Sequence, residues 1–321
     1  MSSRSWPLVT IITPTYNRAG YLAETIESIL AQGYPDLEYI VLDDGSTDET
    51  STVVEKYRGR LTFLTHTNVG EARTVNKGWK LARGEYACVV NSDDPILPGL
   101  VREVVEAFQQ DPRLLVVYPD WRMIDETSHV IKEVQVPEYD YLSMLRWHRC
   151  FVGPGAFIRR TSFLLEPERD PNYRYIGDFE YWLRLGLHGP FARIPKFLAS
   201  HRVHAASASA ERGEAHAAEH TRMMSEFYSR AGLPASVLRA RKEAFSNAAY
   251  LAGRACMASS PGRAREYFLH SIRHMPTSYL RWRPSRLAMF LIAFLPRALS
   301  RRVRSLTEGI VKSPMHYYES S

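Results

Sequence analysis

The sequence predicts an α/β fold, with a mostly parallel central sheet carrying helices on both faces, followed by a C-terminal all-helical segment. Three observations predict it. Short β-branched apolar runs alternate with helix-length segments through about residue 120. Most of these runs end at capping or turn residues, and beyond residue 205 strand-like runs disappear. Alternation at this spacing is the pattern of parallel strands joined by crossover helices, which bind ligands outside the carboxyl ends of the strands.

The elements follow in order. "LVTIIT" (8–13) is the first strand, "YNRAG" a turn, and Tyr21 to Gln32 a helix. "EYIVLD" (38–43) is the second strand; "STDETSTVVEKY" opens with capping residues before a helix. "LTFLT" (61–65), a helix over 71–83, "YACVVN" (86–91), a helix over 99–110 and "LLVVYPD" (114–120) continue the alternation. After residue 125 the pattern loosens: "HVIKEVQVPE" reads as an antiparallel strand and 139–147 as a short helix. "GPGAFIRR" (153–160) is a turn into a strand, and "GDFEYWLRLGLHG" (177–189) a helix with Phe179, Trp182, Leu183 and Leu187 on one face. "ARIPKFLASHRVH" gives a strand and a basic loop. "AASASAERGEAHAAE" (205–219) is a small-residue linker, so the expected domains are 1–205 and 206–321. Ala252, Ala264, Phe268, Ser271 and Pro276 match one tetratricopeptide-like helical hairpin. A single copy is too little for a solenoid.

The bulk numbers narrow the class. A chain of 321 residues, 45% hydrophobic and 24% charged, is globular rather than disordered. Cys88, Cys150 and Cys256 are scattered without CxxC spacing, which argues against a zinc site or disulfide framework and for a reducing, cytoplasmic setting. "MSSRSWP" runs straight into a strand, so no signal peptide is expected. The longest apolar run, Leu287 to Leu295, is about half of the ~20 residues needed to span a bilayer.

Two strands end in paired acids. "VVNSDDPILPG" places Asp93 and Asp94 at the end of a buried run, where they repel one another and lose solvation. A divalent cation held between carboxylates and a diphosphate would offset that repulsion; an Asp-rich turn capping the next helix is the alternative. "VLDDGSTDET" repeats the arrangement with Asp43 and Asp44, again readable as an Asp-Gly turn. After the first strand, Tyr16 in "TPTYNRAGYL" can lie under a nucleobase or pack on its helix.

Together, "TPTYNRAGYLAETIESILAQGYPDLEYIVLDDGSTDET", "NVGEARTVNKGWKLARGEY" and "VVNSDDPILPG" resemble glycosyltransferase family 2, inverting transferases with the GT-A fold, over roughly residues 7–205. The resemblance implies that Pro14 and Tyr16 line a base pocket and that Asp44 hydrogen-bonds the base. It gives Asp93 to the ribose and Asp94 to a Mg²⁺ or Mn²⁺ bridging the phosphates, although the usual Asp-x-Asp reads Asn91-Ser92-Asp93-Asp94 here. Arg73 would reach a phosphate or base, or is simply a solvated helix arginine. "YIGDFEYWLRLG" matches the segment ending in the catalytic base, at Asp178, with Gly177 where many relatives carry Glu. Glu180 competes for that role, and an N-terminal helix cap is the plainer reading of Asp178. His204 in "ASHRVH" would assist at phosphate or metal, or is a loop histidine.

The implied reactants are a nucleotide-diphosphate sugar donor and a glycan or lipid-linked acceptor, in polysaccharide or glycolipid assembly. Gln-x-x-Arg-Trp, the processive signature, is absent, which points to one sugar per encounter. Residues 281–306 hold seven arginines and no acid around the apolar run, suiting a helix on an anionic membrane surface at the cytoplasmic face, or a core helix with a basic end. No nucleic-acid reader motif accompanies that charge. A non-catalytic nucleotide-binding scaffold acting through its helical tail is the rival. A nucleotidyltransferase is disfavoured, for "TPTYNRAGYL" is not a Gly-rich basic phosphate loop.

Overall fold

The computed structural model describes residues 6–204, 213–276 and 284–294. The chain divides into two compact units. The first comprises Met1–Tyr139, Phe151–Tyr173 and Gly177–Ala205; the second comprises Asp140–Cys150, Arg174–Ile176 and Ala206–Ser321. The second unit thus takes two short pieces from inside the first 205 residues.

In the first unit β1 (Val9–Thr15), β2 (Leu37–Asp43), β3 (Thr62–Thr65) and β4 (Tyr86–Val89) are parallel, in spatial order β3-β2-β1-β4. All seven residues of β1 are buried, as expected for a central strand covered on both faces. The crossovers are α1 (Ala19–Leu30), α2 (Thr50–Glu55), α3 (Glu71–Leu81) and α4 (Leu100–Gln110). In α4, Leu100, Val101, Val104, Val105 and Phe108 recur at helical spacing and are all buried. At ~1.5–3 kcal/mol per buried side chain, that face contributes on the order of 10 kcal/mol as an upper bound. Packing of α3 depends on Gly78, where a Cβ would stand 2.6 Å from the Ile12 side chain.

The sheet then changes direction. After β5 (Val116–Ile124) and β6 (Val130–Val134), β7 (Phe157–Arg159) inserts antiparallel between β4 and β5. β6 pairs antiparallel with Trp121–Ile124 of β5. A 3-10 turn (Arg160–Leu164) and α6 (Gly177–Leu185) follow, and β8 (Phe191–Arg202) runs parallel to β5 along its length. β8 continues to Arg202, two residues short of His204, and so carries "SHR" into the strand.

The second unit is helical: α5 (Tyr141–Trp147), α7 (Glu214–Phe227), α8 (Ala235–Arg239), α9 (Arg241–Cys256), α10 (Pro261–His274) and α11 (Pro284–Phe294). The expected hairpin is α9 and α10, and Ala252, Ala264, Phe268 and Ser271 are its fully buried contacts. α11 adds Ile292 and Ala293 to the same apolar core, while Leu291 and Phe294 are exposed. Linker residues 205–212 and tail residues 277–283 and 295–321 lie outside the described residues, so the proposed boundary at 205 and most of the basic tail fall there. Among the described residues no helix is long and apolar enough to cross a membrane. The three cysteines are buried, and none of them is in a disulfide.

Candidate active site

Strand ends build the site. β1 stops after Thr15, leaving buried Pro14 in the strand and Tyr16 just beyond it, 46% exposed. Asn17 takes a left-handed backbone (φ 52°) and ties this loop to the one after β2, accepting from the Thr47 N–H (2.8 Å) while its own N–H donates to Ser46 Oγ (2.9 Å). Gly45 makes the second turn possible: its φ is +79° and a Cβ would stand 2.9 Å from the Asn68 nitrogen.

The two acids of the first pair separate in role. Asp43 accepts from the Ser46 N–H (3.0 Å) and from Thr65 Oγ1 (3.3 Å), closing its turn. Asp44 grips the next loop, accepting from the N–H groups of Val69 (2.7 Å) and Gly70 (2.9 Å), with His66 Nδ1 3.4 Å away. Arg73 is exposed on α3 and donates to the Val69 carbonyl (3.3 Å).

The second pair meets the end of β8. Asp94 is buried; its Oδ1 accepts from the Arg202 N–H (2.7 Å) and its Oδ2 from Asn91 Nδ2 (3.0 Å), with His201 Nδ1 at 3.4 Å. Burial pushes the Asp94 carboxyl up, but His201, the Arg202 N–H and the Asn91 amide together hold it below the usual carboxylate range. Burial likewise pushes His201 down, and Asp94, with Asp93 and Asp178 behind it, holds the imidazole above its ordinary value. Asp93 Oδ2 lies 2.9 Å from His204 Nε2 and 3.4 Å from Arg18 Nε. Arg202, whose side chain has no solvent exposure, donates to the Asp93 carbonyl (2.9 Å), the Asp125 carbonyl (2.9 Å), Ser128 Oγ (3.0 Å) and Glu24 Oε2 (2.6 Å).

Asp178 lies in the first turn of α6, exposed, accepting from the Phe179 N–H at 2.7 Å. Its field reaches both His201 and Glu71, the first residue of α3. Desolvation and the charges of Asp178, Asp93 and Asp94 raise the Glu71 carboxyl, and Arg169 offsets part of this. Solvent reaches 60% of the Glu71 side chain, so repulsion between carboxylates carries more of the shift than burial does. Glu180, the competitor for the base role, is bound by Arg184 through contacts of 2.5 and 2.9 Å.

The structure therefore brings Asp93, Asp94, His204 and Asp178 into one electrostatic neighbourhood, with Pro14, Tyr16 and Asp44 on the adjacent strand ends. Arg18, Glu71 and Arg202 went unremarked in the sequence; "NRAGYL" and "SHRVH" contain two of them, but only strand pairing across the chain shows what they face. Among the described residues no group of three or more His, Cys, Asp or Glu encloses a cation by itself. Mg²⁺ and Mn²⁺ take one or two carboxylates and fill the rest of the shell with phosphate oxygens and water, so a strand-end acid pair is the kind of donor they use.

The model for glycosyl transferase family 2 matches residues 10–165. An uncharacterized glycosyltransferase of Rickettsia prowazekii is 30% identical over 208 residues, 62% of this chain and 65% of that protein. One of Haemophilus influenzae is 31% identical over 182 residues, 55% of this chain and 71% of that one. The chain thus spans just under two thirds of the length of the Rickettsia relative. S. aureus TarS, residues 1–349 in complex with UDP-GlcNAc, superposes with TM-score 0.67 at 18% identity, covering 93% of this chain and 92% of that one. A mannosyltransferase of Pyrobaculum calidifontis, in complex with GDP-Man and Mn²⁺, gives 0.60 at 17% identity, covering 96% and 86%. These two likenesses carry the fold. The sequence matches and the structural likenesses together establish that the chain belongs to glycosyl transferase family 2 and has the GT-A fold.

Proposed function

We propose that the chain is an inverting glycosyltransferase that moves one sugar from a nucleotide-diphosphate donor to an acceptor hydroxyl. The observation that carries this reading is the Asp93–Asp94 pair at the end of β4, opposed by His201 and His204 and sharing its field with the exposed Asp178.

In this reading Tyr16, backed by Pro14, stacks on the base, and Asp44 fixes its edge while holding the Val69–Gly70 loop. Asp93, Asp94 and His204 would hold Mg²⁺ or Mn²⁺, with Asp93 also within reach of the ribose. The oxygens of Asp94 accept from the Arg202 N–H and the Asn91 amide, and Asp93 Oδ2 faces His204 Nε2 at 2.9 Å. When bound, the cation supplies charge neutralisation on the leaving diphosphate. Arg18 beside Asp93 adds a second positive group, and Arg73 stands further out on α3.

Asp178 takes the proton from the acceptor hydroxyl as its oxygen attacks the anomeric carbon; the bond from that carbon to the diphosphate oxygen breaks and the configuration inverts. Its exposure leaves it open to an acceptor, whereas Glu180 is neutralised by Arg184. The acceptor we infer is a glycan or lipid-linked chain in polysaccharide or glycolipid assembly. Leu291 and Phe294 exposed on α11, next to the arginine-rich sequence, support peripheral attachment to an anionic membrane on the cytoplasmic side.

Calorimetric binding of UDP, GDP and dTDP, each with and without Mn²⁺, tests the reading. One nucleotide should bind, and only with the metal; folded protein that binds none of them would refute it.

A further inference from the structure

On α7, His216, Glu219, His220 and Met223 recur at helical spacing and are all buried. Glu219 is 6% exposed, and its carboxylate accepts from three successive main-chain N–H groups. Arg174 donates to Oε1 at 2.7 Å, and Tyr175 and Ile176 to Oε2 at 2.9 and 3.2 Å. A carboxylate this buried ordinarily faces a cationic side chain. Here three peptide dipoles occupy that place, in charge-assisted bonds that are short and directional. The ring of Tyr175 stacks on His216 at 5.0 Å, a second grip on the same tripeptide.

These three residues group with α7 in the second unit, although the chain on either side of them belongs to the first. The next residues are Gly177 and Asp178, which begin α6. Gly177 brings no side chain to this junction, and Asp178 caps only its neighbour's N–H. The tripeptide that Glu219 holds therefore runs directly into the first turn of the helix.

We propose that Glu219 is a positioning residue for the base: by holding the amides of 174–176 it sets where α6 begins and so the direction of the Asp178 carboxylate. The inference rests on the reading of Asp178 as the base. Misplacing a reacting group by about 1 Å costs on the order of 10²-fold in rate, so loosening the tether acts on kcat and leaves donor binding alone.

The test uses the full chain, with Glu219→Gln and the milder Glu219→Asp. Hydrogen exchange should quicken by about tenfold or more at amides 174–179 in Glu219→Gln, with the amides of β1 and β4 unchanged. Release of UDP from UDP-GlcNAc or of GDP from GDP-mannose, with Mn²⁺, should lose about 10²-fold in kcat with KM within about twofold; Glu219→Asp should fall between. In an Asp178→Asn background, Glu219→Gln should lower the residual rate no further.

Unchanged exchange at 174–179, an undiminished kcat, equal losses in kcat and donor affinity, or a further loss in the double variant would each overturn the inference. The two readings fail differently. A wild-type rate in Asp178→Asn removes the base assignment and the inference with it. A loss in Asp178→Asn beside a wild-type rate in Glu219→Gln removes the inference alone.

Discussion

Replacing Arg202 with methionine tests how the acid pair is held. The guanidinium is sealed from solvent and serves two main-chain carbonyls, those of Asp93 and Asp125, besides Ser128 and Glu24. Methionine keeps most of the apolar stem but donates nothing and removes the guanidinium that lies 4.9 Å from the centre of the Tyr21 ring. An orphaned buried acceptor costs ~1–3 kcal/mol, so two carbonyls cost ~2–6 kcal/mol. Ser128 retains its bond to Glu24 Oε1, and Glu24, 45% exposed, turns to water, so neither adds much. The expected destabilisation is about 4 kcal/mol, a large part of the ~5–15 kcal/mol available to a domain. Urea unfolding at pH 7.5 measures it. At a temperature where the variant is folded, Mn²⁺-dependent nucleotide binding should weaken by about tenfold or more, the usual cost of removing a group that orients a metal ligand. A stability loss under about 1 kcal/mol, or unchanged binding, would refute the argument that Arg202 holds the Asp93 loop in place.

Asp178→Asn should lower transfer by about 10²–10⁴-fold while nucleotide binding with Mn²⁺ stays within about twofold; rate and binding falling together would assign Asp178 a structural part instead. His148 gives a pH test in the second unit: it is fully buried against His220 (2.9 Å), and desolvation pushes its imidazole down to about 3. Between pH 6.5 and about 3 the unfolded chain binds the extra proton, so this site favours folding at neutral pH and loses that contribution as pH falls, by about 2 kcal/mol at pH 5. His148→Asn, compatible with the left-handed backbone there (φ 50°), should flatten the slope of urea stability between pH 7 and 5; an unaltered slope would refute it.

The strands and the acids at their ends were legible because both are local. "VLDDG" and "VVNSDDP" each contain the strand, its stop and the carboxylates in one short stretch, and in sheets of this kind a strand's carboxyl end is where ligands bind. The partners of those acids were not. Asp94 meets the N–H of Arg202 across 108 residues, next to the antiparallel bridge that sets Ile96 against Ala199 of β8. His204 was visible in "ASHRVH", which also holds His201, but which acid each faces depends on how the end of β8 meets the loop after β4. Glu219 gave no signal: on a helix rich in small and charged residues it reads as a solvated acid, and its partners are amides that any sequence possesses. The division of the chain was hidden for the same reason, since composition changes near 205 whereas contacts reassign 140–150 and 174–176 to the later helices.

That interleaving also orders events during synthesis. The partners of the acid pair end at His204, two residues past β8, and the sheet is complete when Arg202 has emerged. The amides of 174–176 must wait for a carboxylate 43 residues behind Ile176, and His148 waits for His220, 72 residues behind it. At about 5–20 residues per second, the first of these delays is about 2–9 s. For that interval a nascent chain has the partners of its strand-end acids while the start of α6 is still untethered. On the proposed reading of the site, donor binding precedes competence for transfer, and a ribosome stalled between His204 and Glu219 would display a protein that holds a sugar nucleotide without transferring the sugar.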